Sequence, residues 1–208
     1  MKNGKWVRVT GLTFAVSMLY FCSANPVGPE MKSDMFLEKG IPRDQIAWVG
    51  WNQEIISMPE EAQTGELARR NQGFESKKIY RNRGGEVGGR KTFMNRVEVP
   101  EFAFEEAKLT VSVRVLYFNA QGQNAAGVEF LPSRHYNADM QITLSWGFLD
   151  IDGDAWEDLN LQPYYSEDNG VTWFPVETYV VDPEEMTITF GIDHFTQYGW
   201  GLADDDDC

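Results

Sequence analysis

The chain has 208 residues, 13% of them aromatic, and sets 18 lysines and arginines against 32 aspartates and glutamates for a formal charge of −14. That length suits one domain with a sizeable core, and so acidic a balance repels phosphate backbones and argues against nucleic acid as a partner. Only Cys22 and Cys208 are present, at opposite ends, so stability is expected to come from packing rather than from an internal disulfide.

Lys2, Lys5 and Arg8 precede an apolar run from Val9 to Cys22, and the small residues Ser23 and Ala24 follow it. This is the layout of a secretory signal peptide. The run is shorter than the roughly 20 residues a permanent membrane helix needs, so residues 1–24 are expected to be removed after Ala24. The chain is then exported to the periplasm, the cell surface or the medium. Lipidation of Cys22 is the alternative, and the bulky Tyr20 and Phe21 before it fit that poorly. No apolar transmembrane stretch follows the leader.

Residues 25–75 contain Pro26, Pro29, Pro42 and Pro59 and show no sustained period, so they read as an irregular N-terminal segment. Within it, Glu60–Arg70 has the composition of a short helix, weakened by Gly65. The patch IAWVGW, Ile46–Trp51, is apolar enough to pack on the domain or on a partner.

From about Ser76 the pattern becomes short alternating runs. In KLTVSVRVLY, Leu109, Val111, Val113, Val115 and Tyr117 fall on one face, and Lys108, Thr110, Ser112 and Arg114 on the other. Period two with β-branched residues predicts a strand with one buried face. The same pattern recurs in QITLSWGF (141–148), MTITFGI (186–192) and TQYGWGL (196–202), and more weakly at 96–99, 127–131, 159–165 and 171–180. Turn residues at Asn119–Gly122, Asp152–Gly153, Asp168–Gly170 and Asp182–Pro183 separate the runs. About eight such strands with no long helix between them predict an all-β fold, an antiparallel β-sandwich over 76–203, with a closed barrel as the alternative. The acidic tail 204–208 follows, a like-charge run of the solubilising kind.

Four stretches together resemble the ZU5 domain family, in particular its bacterial exported members. They are Gly84-Gly85 with the strand ending at Val99-Pro100, VEFLPSRHYNADMQITLSW from Val128, the Tyr164–Pro175 run, and DHFTQYGW from Asp193. The resemblance implies a ZU5-like sandwich that serves as a non-catalytic interaction module binding a protein partner. Some members cut their own backbone between Phe and Ser of a His-Phe-Ser triplet, and this chain has His194-Phe195-Thr196 in that place. The Thr196 hydroxyl would be the nucleophile of such a step and His194 its base, but the β-branch restrains the rotamer. The competing reading is that Phe195 fills the core while His194 and Thr196 face outward or cap a turn.

The remaining candidates for chemistry are sparse. Asp150, Asp152, Asp154 and Asp158 in DIDGDAWEDL have the spacing of calcium-loop ligands, but Gly153 stands at position four and Leu161 replaces the bidentate Glu, so a solvated loop is preferred to a metal site. Asp193 and His194 are adjacent, and a regular strand sends neighbours to opposite faces, which spoils a relay between them. Trp156, Trp173, Tyr164 and Tyr165 are candidates for a sugar-stacking platform, which would make the chain a carbohydrate-binding module for a glycan, or else for core packing. The sequence leads to no enzyme and no cofactor. It leads to an exported binding domain that recognises a protein through an edge strand or loop surface.

Overall fold

The computed structural model describes residues 40–54, 73–120, 122–152, 156 and 159–203. The leader, the Glu60–Arg70 run, Asp154, Asp158 and the acidic tail lie outside the described residues. Twelve strands follow in order: β1 Ile41–Pro42, β2 Phe74–Tyr80, β3 Gly85–Gly88, β4 Arg96–Val99, β5 Lys108–Ala120, β6 Gln123–Leu131, β7 His135–Ser145, β8 Leu161–Ser166, β9 Thr172–Pro175, β10 Val180–Asp182, β11 Thr187–His194 and β12 Gln197–Leu202. They form an antiparallel sandwich of two sheets, ordered β1-β9-β8-β12-β6-β5-β2 and β10-β11-β7-β4-β3.

The core lies between the sheets, where alternation places it. Val111, Val113, Val128, Phe130, Tyr198 and Trp200 face Val87, Val97, Ile142, Leu144 and Ile188, all essentially removed from solvent. The predicted inward face of β5 holds through Val115, and Tyr117 is exposed instead. Two boundaries differ from expectation for topological reasons. The 171–180 run is two strands, because after Pro175 the chain leaves the larger sheet to enter the smaller one at β10. The 141–148 run starts earlier, at His135, and stops before Trp146, which is buried in the turn that follows.

Residues Ile46–Trp51 pack on the domain, and how they do so explains three glycines. β12 pairs with β6 only over Gln197–Gly199 and then diverges from it. The segment fills the gap: Val49 N donates to Trp200 O (2.9 Å), Ala126 N donates to Val49 O (2.8 Å), and Leu202 N donates to Ala47 O (2.9 Å). As in any extended run, its side chains alternate. Val49 and Trp51 enter the main core. Ile46 and Trp48 lie on the outer face of the larger sheet with Ala120, Ala125, Tyr164 and Trp173 in a second cluster. A Cβ on Gly199 would lie 2.6 Å from the Trp48 ring, and one on Gly201 would lie 2.6 Å from Ile46. A Cβ on Gly50 would lie 2.7 Å from the Asn124 carbonyl oxygen.

Candidate functional site

The rim where β7 begins and β11 ends gathers both histidines of the chain. β11 pairs with β7 in regular register from Thr187↔Ser145 to Ile192↔Met140, and then the register shifts so that His194 faces His135. A strict strand would send Asp193 and His194 apart; at this irregular end, where the extra residues lie in β7, the two side chains nonetheless meet. Asp193 Oδ1 lies 2.9 Å from His194 Nδ1, and Asp193 Oδ2 lies 3.7 Å from His135 Nδ1. The two imidazoles are 5.2 Å apart, centre to centre. On its other side, His194 presents Nε2 to Glu167 Oε1 at 3.2 Å. His194 is held with 16% of its side chain exposed, whereas His135 is 80% exposed. The hydrogen bond from His194 holds the Asp193 carboxyl below its ordinary pKa, and the charges of His194 and His135 add to the effect.

Beside this cluster is a cleft of about 380 Å³ lined in part by Glu129, Ser166, Glu167 and Thr196. Arg134 borders it and is engaged elsewhere, by Glu106 through two hydrogen bonds of 2.5 and 2.8 Å. Phe195 is buried against Tyr136 and Phe130. Thr196 is also buried rather than outward-facing; its hydroxyl donates to the Ser166 carbonyl, and its own carbonyl accepts from Phe130 N at 3.1 Å. The pair Phe195-Thr196 is therefore the crossing point from the smaller sheet to the larger one, with both residues built into the packing.

The other sequence candidates fall elsewhere. Asp150 and Asp152 are exposed beside a cleft of about 600 Å³ between the Trp48–Gln53 segment and Leu159; Asp154 and Asp158 lie outside the described residues. Of the four aromatics, Trp173 and Tyr164 are buried in the second cluster under Trp48. Trp156 packs on Trp146, Tyr179 and Trp200, and Tyr165 stacks on Phe174. These rings do not form one exposed platform.

One surface was not anticipated from the motifs. β2 and β5 pair Phe74↔Arg114, Ser76↔Ser112, Lys78↔Thr110 and Tyr80↔Lys108, and the Ser112–Ser76 hydroxyl bond of 2.9 Å confirms that these positions share the outer face. Phe102 lies beside the end of β2, its N–H donating to the Arg81 carbonyl at 2.7 Å and its ring centre 5.5 Å from the Arg81 guanidinium. Phe74, Tyr80 and Phe102 are 43%, 50% and 54% exposed. The face also concentrates positive charge. On the face itself stand Lys78, Lys108 and Arg114, the last paired with Glu129; along the sequence nine of the 18 cations fall between residues 77 and 114, and Arg134 is the only one after them, against eighteen acids. β8–β11 lie toward one side of the strand order and β2 and β3 at the other, so among the described residues the acids of 167–193 and the cations of 77–96 stand toward opposite ends of it. Counting charge by chain position and strand order would have found this signal.

The fold thus defines an all-β antiparallel sandwich with a histidine-carboxylate rim and a basic aromatic face. No protein-family model matches the chain, and no curated protein is detectably similar to it. No helix among the described residues is long and apolar enough to cross a membrane.

Proposed function

We propose that the chain is an exported, non-catalytic interaction module of ZU5-like type, and that it docks an acidic segment of a protein partner on the outer β2–β5 face. The observation that carries this reading is the collection of exposed aromatic and cationic side chains on one face of a chain whose net charge is −14. Aromatic residues and arginine are the types that dominate protein interfaces, because they offer large contact area beside directional charge. Lys78 and Lys108 have no acidic partner among the described residues, so their charge is available to an incoming carboxylate. The rest of the surface repels the same partner, which favours this one orientation. The secretory layout of residues 1–24 supports the export part of the reading.

The face is tested with a defined probe. Titrating the isotope-labelled chain with a ten-residue glutamate peptide at low salt is expected to shift backbone NMR resonances of β2, β5 and Arg81–Phe102. The shifts should fade at about 0.3 M salt, where charges farther apart than several ångströms are screened. Shifts scattered over the sandwich, or centred on β10 and β11, would contradict the assignment of the face.

A further inference from the structure

The histidine-carboxylate rim shares no residue with the docking face and has its own chemistry. We propose that His135, Asp193 and His194 form a three-ligand site for a borderline divalent transition metal of the Zn²⁺ type, with Glu167 as the outer carboxylate that orients His194.

The donor set selects the class of ion. Two imidazoles and one carboxylate suit zinc, copper, nickel or cobalt, whereas calcium and magnesium take oxygen donors almost throughout. The spacing fits as well. Two donors each about 2.0–2.2 Å from a tetrahedral ion lie roughly 3.3–3.6 Å apart. Here one ligand atom from each residue can be chosen so that all lie within 4.8 Å of one another, and the Asp193 carboxylate turns one oxygen to each ring, Oδ1 to His194 Nδ1 at 2.9 Å and Oδ2 to His135 Nδ1 at 3.7 Å. The exposed His135 ring is free to make the remaining small adjustment.

Two further features set this apart from an ordinary surface ion pair. First, the ligands stand on paired strands: His194 and His135 are direct cross-strand partners, and Asp193 reaches both rings. Second, His194 Nε2 is shielded from solvent with no hydrogen bond of good geometry, while Glu167 Oε1 is 3.2 Å away. With Nδ1 on a metal, Nε2 carries the proton and Glu167 becomes its acceptor, which is the carboxylate–histidine–metal arrangement that fixes the tautomer in known sites. Arg134, next to His135 in the chain, is already paired with Glu106. Three protein ligands leave a fourth position for water or for a donor from a partner.

The test uses the full, untagged chain carrying Cys22→Ser and Cys208→Ser, so that thiols do not capture the ion. Titration with Co²⁺ should give the visible absorption of a four-coordinate site at one equivalent, displaced by Zn²⁺. His135→Asn and His194→Asn should each abolish that spectrum, and Glu167→Gln should weaken binding about 10- to 100-fold while leaving the spectrum intact. Because the chain has only 2 histidines, ring-nitrogen NMR shifts report both ligands without ambiguity, and the Zn²⁺-bound form should retain a proton on Nε2 of His194. The proposal is overturned if no stoichiometric binding occurs, or if binding survives both histidine substitutions and so belongs to the acidic loop or tail.

Discussion

Arg134 and Glu106 meet through two hydrogen bonds, Nη1 to Oε1 and Nη2 to Oε2, and Arg134 also lies 5.2 Å over the Tyr136 ring. The guanidinium hydrogen bonds hold the Glu106 carboxyl at about 2, well below its ordinary 4.5. A depressed carboxylate pKa favours the folded state above the unfolded-state value, and that contribution is lost as the pH falls toward the folded value. A carboxyl-carbon NMR titration should therefore place Glu106 near 2, and Arg134→Gln should return it toward 4.5. A midpoint that Arg134→Gln leaves unmoved would show that the pair is not formed in solution. Asp168 is held below its usual range in another way. Desolvation works to raise it and is outweighed by hydrogen bonds from Thr172, the Ser166 hydroxyl and Val171 N. At this scale the sequence was least informative. Asp193 and His194 read as facing apart because alternation was assumed, whereas at the irregular end of β11 their side chains meet. Glu167 comes from a different loop, and its approach to His194 has no sequence signature at all.

The strands were legible where one face is buried. β5, β7, β11 and β12 alternate apolar and polar residues because one side meets the opposing sheet. β2 was missed: in FESKKIY only Ile79 is fully buried, and an edge strand whose aromatics Phe74 and Tyr80 fall on the outer face while Glu75 and Lys77 share the face of Ile79 leaves little period to read. The Ile46–Trp51 element was recognised as a packing segment, but its insertion between β6 and β12 depends on pairing partners some 75 and 150 positions away in the chain. Its glycines are the consequence of that insertion. Trp48→Ala removes a buried indole and its 2.7 Å hydrogen bond to the Arg43 carbonyl, and should destabilise by about 3–5 kcal/mol. Gly201→Val forces a side chain into space held by Ile46 and Tyr164, and should cost about 1–3 kcal/mol. Chemical denaturation checks both. If the element were loosely attached, both substitutions would leave the midpoint unchanged.

Across the whole molecule, the two-sheet sandwich was the most legible feature, because many short alternating runs with turn residues between them have few other solutions. Function was less so. The aromatics that suggested a glycan platform are consumed by packing, since a small sandwich covered by Trp48 on its outer face needs their bulk inside. The surface that takes their place emerges only from strand order, which converts a linear charge imbalance into opposite edges. A segregated field of this kind steers an oppositely charged partner and sets its orientation. The central claim is that an acidic partner docks on the β2–β5 face of the exported chain. Its most direct test is a photo-crosslinking residue placed at position 102 in exporting cells, with the same residue at position 180 on the far edge as reference. The account predicts an adduct from position 102 whose crosslinked peptide is rich in Asp and Glu, its loss when Lys78→Glu and Lys108→Glu are combined, and no matching adduct from position 180. Equal labelling from both positions, or an adduct from 102 that persists through the charge reversal, would contradict it.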